Sequence, residues 1–308
     1  MQQTNNRKIM TKIEGNCGIS ATVIADSINS KGIRLTTFEL VYPRFIHAEL
    51  MTHRMLSKNA ASSRAIPIKR MIEIIEESPA TPVYWGANQA GMQASTELTG
   101  EELDHVKMIW EAAQASAIEW VRKLEEIGLH KQISNRITEP FQMMKTVISG
   151  TEWANLLWLR DHDAAQPEFR ELAKCIHTCF DQSVPQFLSP GQWHLPYVNS
   201  TLQGSTVQVF ENDLILEEAL KVSASCCAQV SYRRLDDSVE KALALYDRLV
   251  GSDRIHASPL EHQGTPMKQP GFQLPPGITH RDVHGNLWSA NFRDWIQHRK
   301  LILNEAVW

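Results

Sequence analysis

Residues 19–42 alternate between apolar and polar positions on both sides of Lys31-Gly32. A period of two about a Gly-containing turn predicts a β-hairpin, and Pro43 closes it where the first turn of a helix can begin. The spacing then changes. Over residues 44–56 a helical reading places Glu49, His53 and Ser57 at i, i+4 and i+8 on one face, with Ile46, Leu50, Met51 and Met55 packing around it. Ile66 to Glu77 predicts a short helix with Pro67 in its first turn, and 78–93 is loop-like, carrying Pro79, Pro82, Gly86 and Gly91. Helical periodicity returns from Glu97 to Ile127, stopped by Gly128. It continues from His130 to Ser149 with a bend near Pro140, and from Thr151 to Phe180 with a break around 161–167. Residues 183–205 are rich in Pro, Gly and Ser and predict a linker. Glu217 to Ser231 and Asp236 to Leu249 predict helices, 251–285 a Pro/Gly-rich stretch with short strands, and Phe292 to Asn304 a final helix. The class is α+β.

At 308 residues the chain can bury a large core in one domain or two, and 43% apolar against 21% charged content fits a soluble globular protein. A net charge of −4 argues against a nucleic-acid partner. No apolar run reaches the length of a membrane span, and the first residues lack the apolar core of a secretory signal, so a cytoplasmic protein is expected. Five cysteines in no regular framework predict reduced thiols, mostly in the core, and their spacing does not suit zinc. His280 and His284 are four apart but have no trio of carboxylates nearby, which argues against a metal-dependent hydrolase.

The chemistry concentrates between Glu49 and Arg64, where Glu49, His53, Arg54, Ser57, Asn59, Ser62, Ser63 and Arg64 fall within sixteen residues. A helix with one polar face is most often a solvated face. Ser62 and Ser63, however, offer hydroxyls and N–H groups beside the Arg64 guanidinium, a set of donors that suits a phosphate. The stretch resembles the signature of the flavin-dependent thymidylate synthases (the ThyX family), Arg-His-Arg followed by seven residues and a Ser. Here it reads Thr52-His53-Arg54, then Met55 to Ala61, then Ser62. Thr52, Ala60 and Ser63 depart from the family's Arg, Glu and Gly.

Further matches follow. Arg136, four residues before Pro140, resembles a nucleotide-binding Arg of the family. Asn155 to Arg160 resembles its Asn-x-x-x-x-Arg, and Ala165-Gln-Pro-Glu168 its Ala-Gln-x-Glu. Asn155 and Arg160 lie about 140° apart around a helix, so they face different surroundings. A block that the family carries before its Arg-His-Arg occurs here late in the chain. Ala228-Gln-Val-Ser-Tyr232 is followed by a helix and then by His256-Ala-Ser-Pro-Leu-Glu-His262. The chain thus resembles a circularly permuted ThyX. Phe292 to Glu305, with Gln297-His298-Arg299 at the motif position, reads as a second copy of the motif helix.

The resemblance implies a ThyX-like fold, an antiparallel sheet packed with long helices. Residues 1–200 would carry the motif, the nucleotide-binding residues and most helices. Residues 201–308 would carry the permuted flavin-binding block, the two together forming one compact catalytic domain. It implies methylation of dUMP at C5 with FAD as cofactor and methylenetetrahydrofolate and NAD(P)H as co-substrates, without a cysteine nucleophile. Arg160, His53 and Arg54 would be catalytic, with Arg160 facing the uracil ring. Glu49, Ser62, Ser63, Arg64, Arg136 and Arg160 would bind substrate, Glu49 pairing with Arg44 or His53. His53, Arg54, Asn59, Asn155, Ser231, His256, Ser258 and Glu261 would line the flavin site. Family members are homotetramers, and the rearrangement suits a phage gene. The departures at Thr52 and Ala60 leave open two alternatives: a C5 hydroxymethylase of dUMP or dCMP, and a non-catalytic nucleotide-binding protein.

Overall fold

A computed structural model describes residues 11–198, 202–203, 206–209, 212–230, 238–251, 253–268 and 274–306. Its centre is an antiparallel sheet. Strand β1 (Lys12–Glu14) pairs with β2 (Ser20–Ile28), which forms the expected hairpin with β3 (Arg34–Pro43). Gly32 in the turn takes a φ of 75°, the left-handed region that glycine enters without penalty. The order continues through β5 (Met143–Gly150) to β4 (Ser57–Ala60), and β6 (Gln186–Phe187) adds a short parallel pairing along β2.

Strand β5 occupies the region where helical periodicity was expected to run from His130 to Ser149. Only α4 (Lys131–Ser134) and a 3-10 turn at Glu139–Phe141 are helical there. Helical spacing misleads because β5 from Thr146 onward is buried on both faces. Ile148 enters the main core and Val147 packs on the opposite side with Cys227 and Val230, so no polar alternation marks the strand. The β-branched run Thr146-Val147-Ile148 suits a pleated, doubly covered position.

Helix α6 (Pro167–Gln182) covers one face, burying Phe169, Leu172, Ile176 and Cys179 against Phe38, Leu40 and Tyr42. Phe38 meets Trp153 and Phe180 edge to face at 5.0 and 5.1 Å. Between the two lies α5 (Ala154–Arg160). On the motif side, residues 44–56 are helical only in part: a 3-10 turn at Arg44–Ile46, then α1 (His47–Met51). Ile46 and Leu50 are buried, whereas Met51 and Met55 are exposed. Helices α2 (Ile68–Glu77) and α3 (Gly100–Glu126) form a separate cluster through Met71, Ile75, Ile118 and Val121.

The other face of the sheet receives α7 (Leu216–Ala228), which packs on α8 (Val239–Val250). Small residues on α7 permit close approach: Ser223 donates to the Pro196 carbonyl at 2.8 Å and Ser225 to that of Ala242 at 2.5 Å. The expected linker at 183–205 is partly built into the core, because His194 is buried and its backbone bridges to Gly264. The expected final helix is absent. Phe292–Arg293 and Trp295–Gln297 are strands and His298–Leu301 is a single 3-10 turn. Asp294 has a φ of 57°, which interrupts any helix there. Trp295 is fully buried with Leu35, Leu188 and Phe292, and its indole donates to the Ile33 carbonyl at 3.1 Å. Among the described residues no helix is long and apolar enough to cross a membrane, and the five cysteines are free, four of them buried.

A buried polar chain ties these parts together. Ser27 shares a hydrogen bond with His194 Nδ1 at 2.9 Å, and His194 Nε2 shares one with Thr37 at 2.8 Å. Thr37 bonds Ser149 at 2.6 Å, and Ser149 bonds His262 Nδ1 at 2.8 Å. Burial pushes His262 down to about 3 and His298 to about 4. Both are therefore neutral in the folded protein at pH 5, whereas an unfolded histidine titrates near 6.5. The unfolded state binds more protons below that value, so stability is full above pH 7 and declines as pH falls toward 3 to 4. Denaturant unfolding at pH 7 and pH 5 should differ by on the order of 2 kcal/mol for each such histidine. Equal stabilities at the two pH values would contradict neutral burial.

Candidate active site

Helix α1 ends at Met51, and Thr52 to Leu56 make a tight turn into β4. Glu49 and His53, four residues apart, both reach the guanidinium of Arg160, which arrives from the C-terminal end of α5. Arg160 Nη1 donates to Glu49 Oε2 at 2.9 Å, and its Nε to His53 Nε2 at 3.0 Å. Its carbon centre lies 4.6 Å from the centroid of Phe169, whose ring His53 meets edge-on at 5.6 Å. Burial first, then the charges of Arg160 and Lys58, pushes His53 down to about 4, so its Nε2 carries the lone pair that accepts from Arg160. No protein acceptor among the described residues engages Nη2 of Arg160. The guanidinium is thus clamped on two of its nitrogens and open on the third. It borders a broad cleft of about 1390 Å³ with Glu49, Phe45, Tyr84, Trp110 and Arg170.

Glu49 therefore pairs with Arg160, not with Arg44 or His53. Arg44 is engaged by Glu139 at 2.7 Å, and Glu139 also accepts from Arg136 at 3.0 Å. Ser57 does not share the face of Glu49 and His53, because β4 begins with it and its side chain turns to Asn291. Asn155 is exposed on the other side of α5, as its helical angle requires.

The predicted phosphate group is elsewhere on the chain. Ser62 opens a turn closed by the Ala65 N–H, Ser63 is buried, and Arg64 is exposed. Asn135 binds the carbonyls of Ser63 and Ile66 at 2.8 and 3.0 Å, so Arg64 and Arg136 each follow a residue of that contact. Neither borders the cleft of Arg160.

A third group joins the two ends of the sequence. Asn59 donates to the Cys227 carbonyl at 2.5 Å and accepts from Ser258 at 3.2 Å. Ser258 begins a 3-10 turn ending at Glu261, whose carboxylate binds Arg299. Arg299 also donates to Glu305 at 2.6 Å, and Lys300 binds the same carboxylate at 2.6 Å. Arg54, Glu261, Asn291, Gln297, Arg299 and Lys300 border a smaller cleft of about 380 Å³. His256 is exposed, with its N–H closing the end of α8 onto the Leu249 carbonyl. Ser231 lies outside the described residues.

Lys58 and Phe169 are site residues without a distinctive sequence signal. Lys58 donates to the carbonyls of His53 and Leu56, pinning the motif turn from β4, and burial lowers its ammonium to about 8. Among the described residues there is no group of three or more potential metal ligands.

Residues 35–186 match the family model described as thymidylate synthase complementing protein. The matched region contains Glu49 to Arg64, Arg136 and Arg160, and ends before α7. A comparison with curated proteins finds no match.

Replacing Asn59 by Ala should remove its two bonds to the C-terminal block, the one to the Cys227 carbonyl and the one from Ser258. The expected destabilisation is about 1–3 kcal/mol in denaturant unfolding. A loss below about 0.3 kcal/mol would mean that the junction does not depend on this side chain.

Proposed function

We propose that this chain, a member of the thymidylate synthase complementing protein (ThyX) family, methylates dUMP at C5 using methylenetetrahydrofolate and NAD(P)H, with FAD as cofactor. The observation that carries this reading is the clamped guanidinium of Arg160. A pyrimidine gains nucleophilic character at C5 when negative charge on its ring oxygens is stabilised. A fixed guanidinium in a partly desolvated wall supplies that stabilisation without reorganising. Glu49 fixes its orientation, and neutral His53 accepts a hydrogen bond without adding charge.

Sulfur is not needed for this step. Among the described residues no cysteine borders the Arg160 cleft, and burial raises the thiols of Cys175 and Cys179 to about 11, far from a thiolate. Bound FAD would supply the electron transfer that this reaction requires. The second cleft, of about 380 Å³, is of a size for one ring system of such a ligand. Arg54 there has no protein acceptor among the described residues, and the buried Oε1 of Gln297 has no hydrogen-bond partner. We assign Arg54, Asn59, Ser258 and Glu261 to holding it, together with His53, Asn155, His256 and Ser231 as the resemblance implies.

Ser62, Ser63, Arg64 and Arg136 are assigned to the substrate phosphate. Their separation from Arg160 within one chain supports a site completed between copies, in keeping with the homotetramer that the resemblance implies. The contacts of Asn59 with Cys227 and Ser258 support the permuted reading, with the N- and C-terminal blocks acting as one catalytic unit.

Arg160→Ala should lower turnover of dUMP by at least about 100-fold while leaving the bound-flavin absorption spectrum unchanged. Arg160→Lys should restore little, because a point charge cannot hold both Glu49 and His53 and still face substrate. Full turnover in Arg160→Ala would remove Arg160 from the chemistry.

A further inference from the structure

The large cleft that Arg160 borders continues along α6. Pro167, Arg170, Glu171 and Lys174 fall at i, i+3, i+4 and i+7 on one side of that helix, and all four border the cleft. At the rise of an α-helix, Pro167 to Lys174 spans about 10 Å. Arg160 sits over Phe169 in the first turn of α6, and Lys174 lies more than one turn further on. The opposite wall is formed by residues between Pro82 and Ser95, and Gln93 ties it back by donating to the Asp163 carbonyl at 3.2 Å. A volume of about 1390 Å³ is larger than one ring system fills. A pyrimidine at Arg160 leaves the α6 part of the cleft without a ligand.

Two kinds of surface meet there. Tyr84 and Trp110 supply aromatic wall. Trp110 is fixed by its indole N–H on the Ala80 carbonyl at 3.2 Å and by edge contacts with Trp85 and Phe141 at 5.9 and 5.4 Å. The charged groups are largely spoken for. Each carboxylate bordering the cleft already accepts from the protein: Glu49 from Arg160, Asp163 from Arg170, Glu168 from the Val83 N–H, and Glu171 from Asn16. Arg160 and Arg170 are therefore paired, whereas Lys174 is exposed and has no carboxylate partner among the described residues. The cleft thus combines an aromatic wall with one unengaged ammonium.

We propose that this part of the cleft is the subsite for the benzoyl-glutamate arm of the folate donor, with the arm's ring against Tyr84 and Trp110 and its glutamate carboxylates met by Lys174. In methylenetetrahydrofolate the transferred carbon bridges the pterin to the nitrogen that begins the arm. A donor whose carbon reaches a pyrimidine at Arg160 therefore extends its arm away from that residue. The arm is a flat ring followed by an amide and two carboxylates, which matches an aromatic wall with an ammonium beside it. An ammonium is a point charge that would also take a nucleotide phosphate. The aromatic wall favours the arm, because a ribose phosphate carries no second ring to cover it. The choice of folate rests on the reading under Proposed function; the aromatic wall and the unengaged Lys174 do not.

The test neutralises the ligand's carboxylates without changing its size. Affinities of the full chain, with FAD and dUMP present in excess, would be measured calorimetrically for folate and for its diamide, in which both glutamate carboxylates are carboxamides. Folate should bind at least about fivefold more tightly than the diamide. Lys174→Glu, at an exposed position, should reduce that preference below about twofold while leaving the affinities for the diamide and for dUMP within about twofold of wild type. Tyr84→Ala, with its fold checked by the unfolding transition, should weaken folate and diamide alike, by at least about threefold. Equal binding of folate and diamide by the wild type, a preference that survives Lys174→Glu, or unchanged affinities in Tyr84→Ala would overturn the subsite and leave the folate reading standing. A loss of dUMP affinity in Lys174→Glu with the folate preference intact would assign Lys174 to the nucleotide phosphate and likewise overturn it. Wild-type protein that binds neither folate nor the diamide would overturn both the subsite and the folate reading.

Discussion

Strand β5 is covered on both faces, and much of the molecule follows from that condition. Ile148 needs the α6 side of the core, and Val147 on the reverse face needs Cys227 and Val230. A sheet with two apolar faces requires a layer on each. The region up to α6 supplies one layer and α7 supplies the other. Once α7 docks, the Cys227 carbonyl meets Asn59 on the neighbouring strand, and Ser258 follows onto the same amide. The turn through Glu261 then brings Arg299 beside Arg54. Hydrophobic coverage of one strand thus assembles a polar cleft from residues more than 200 positions apart in sequence.

Burial in this assembly favours neutral imidazoles at His262 and His298. His194 and His262 are joined through Thr37 and Ser149 in an unbroken hydrogen-bonded chain crossing the strands. A charged imidazole at His262 would be fully desolvated, which is why burial holds that ring well below the usual histidine range. His53 is likewise pushed down, by burial first and then by the charges of Arg160 and Lys58 beside it. Positive charge is concentrated instead on guanidinium groups, which stay ionised under desolvation.

The Arg160 clamp shows how little backbone a site of this kind needs. One helix of five residues presents Glu49, the turn after it presents His53, and the end of α5 presents the arginine. Lys58 secures the turn from the adjoining strand, so the clamp is anchored in the sheet. The turn that carries His53 is held by the two bonds of Lys58 to main-chain carbonyls, while Arg160 itself is held by the side chains of Glu49 and His53.

The sequence by itself determined the hairpin over 19–42, helices α2, α3, α6 and α8, and the family to which the central region belongs. Each of those elements has a solvent face, a cap or a turn residue that makes its period visible locally. The expected helical face does not carry Glu49 and His53 together, because α1 ends at Met51 and His53 sits in the following turn; the two meet at Arg160. Tertiary structure alone decided β5, because burial of Thr146 to Gly150 on both faces erases the alternation that announces a strand. It also decided that Phe292 to Asn304 is not a helix: Trp295 lies in a strand packed beside Leu35 and Leu188, and Asp294 before it takes a left-handed φ of 57°. The partner of Glu49, and the meeting of Arg54 with Gln297 and Arg299, depend on contacts between distant segments. No spacing along the chain encodes them, because they exist only once both faces of β5 are covered.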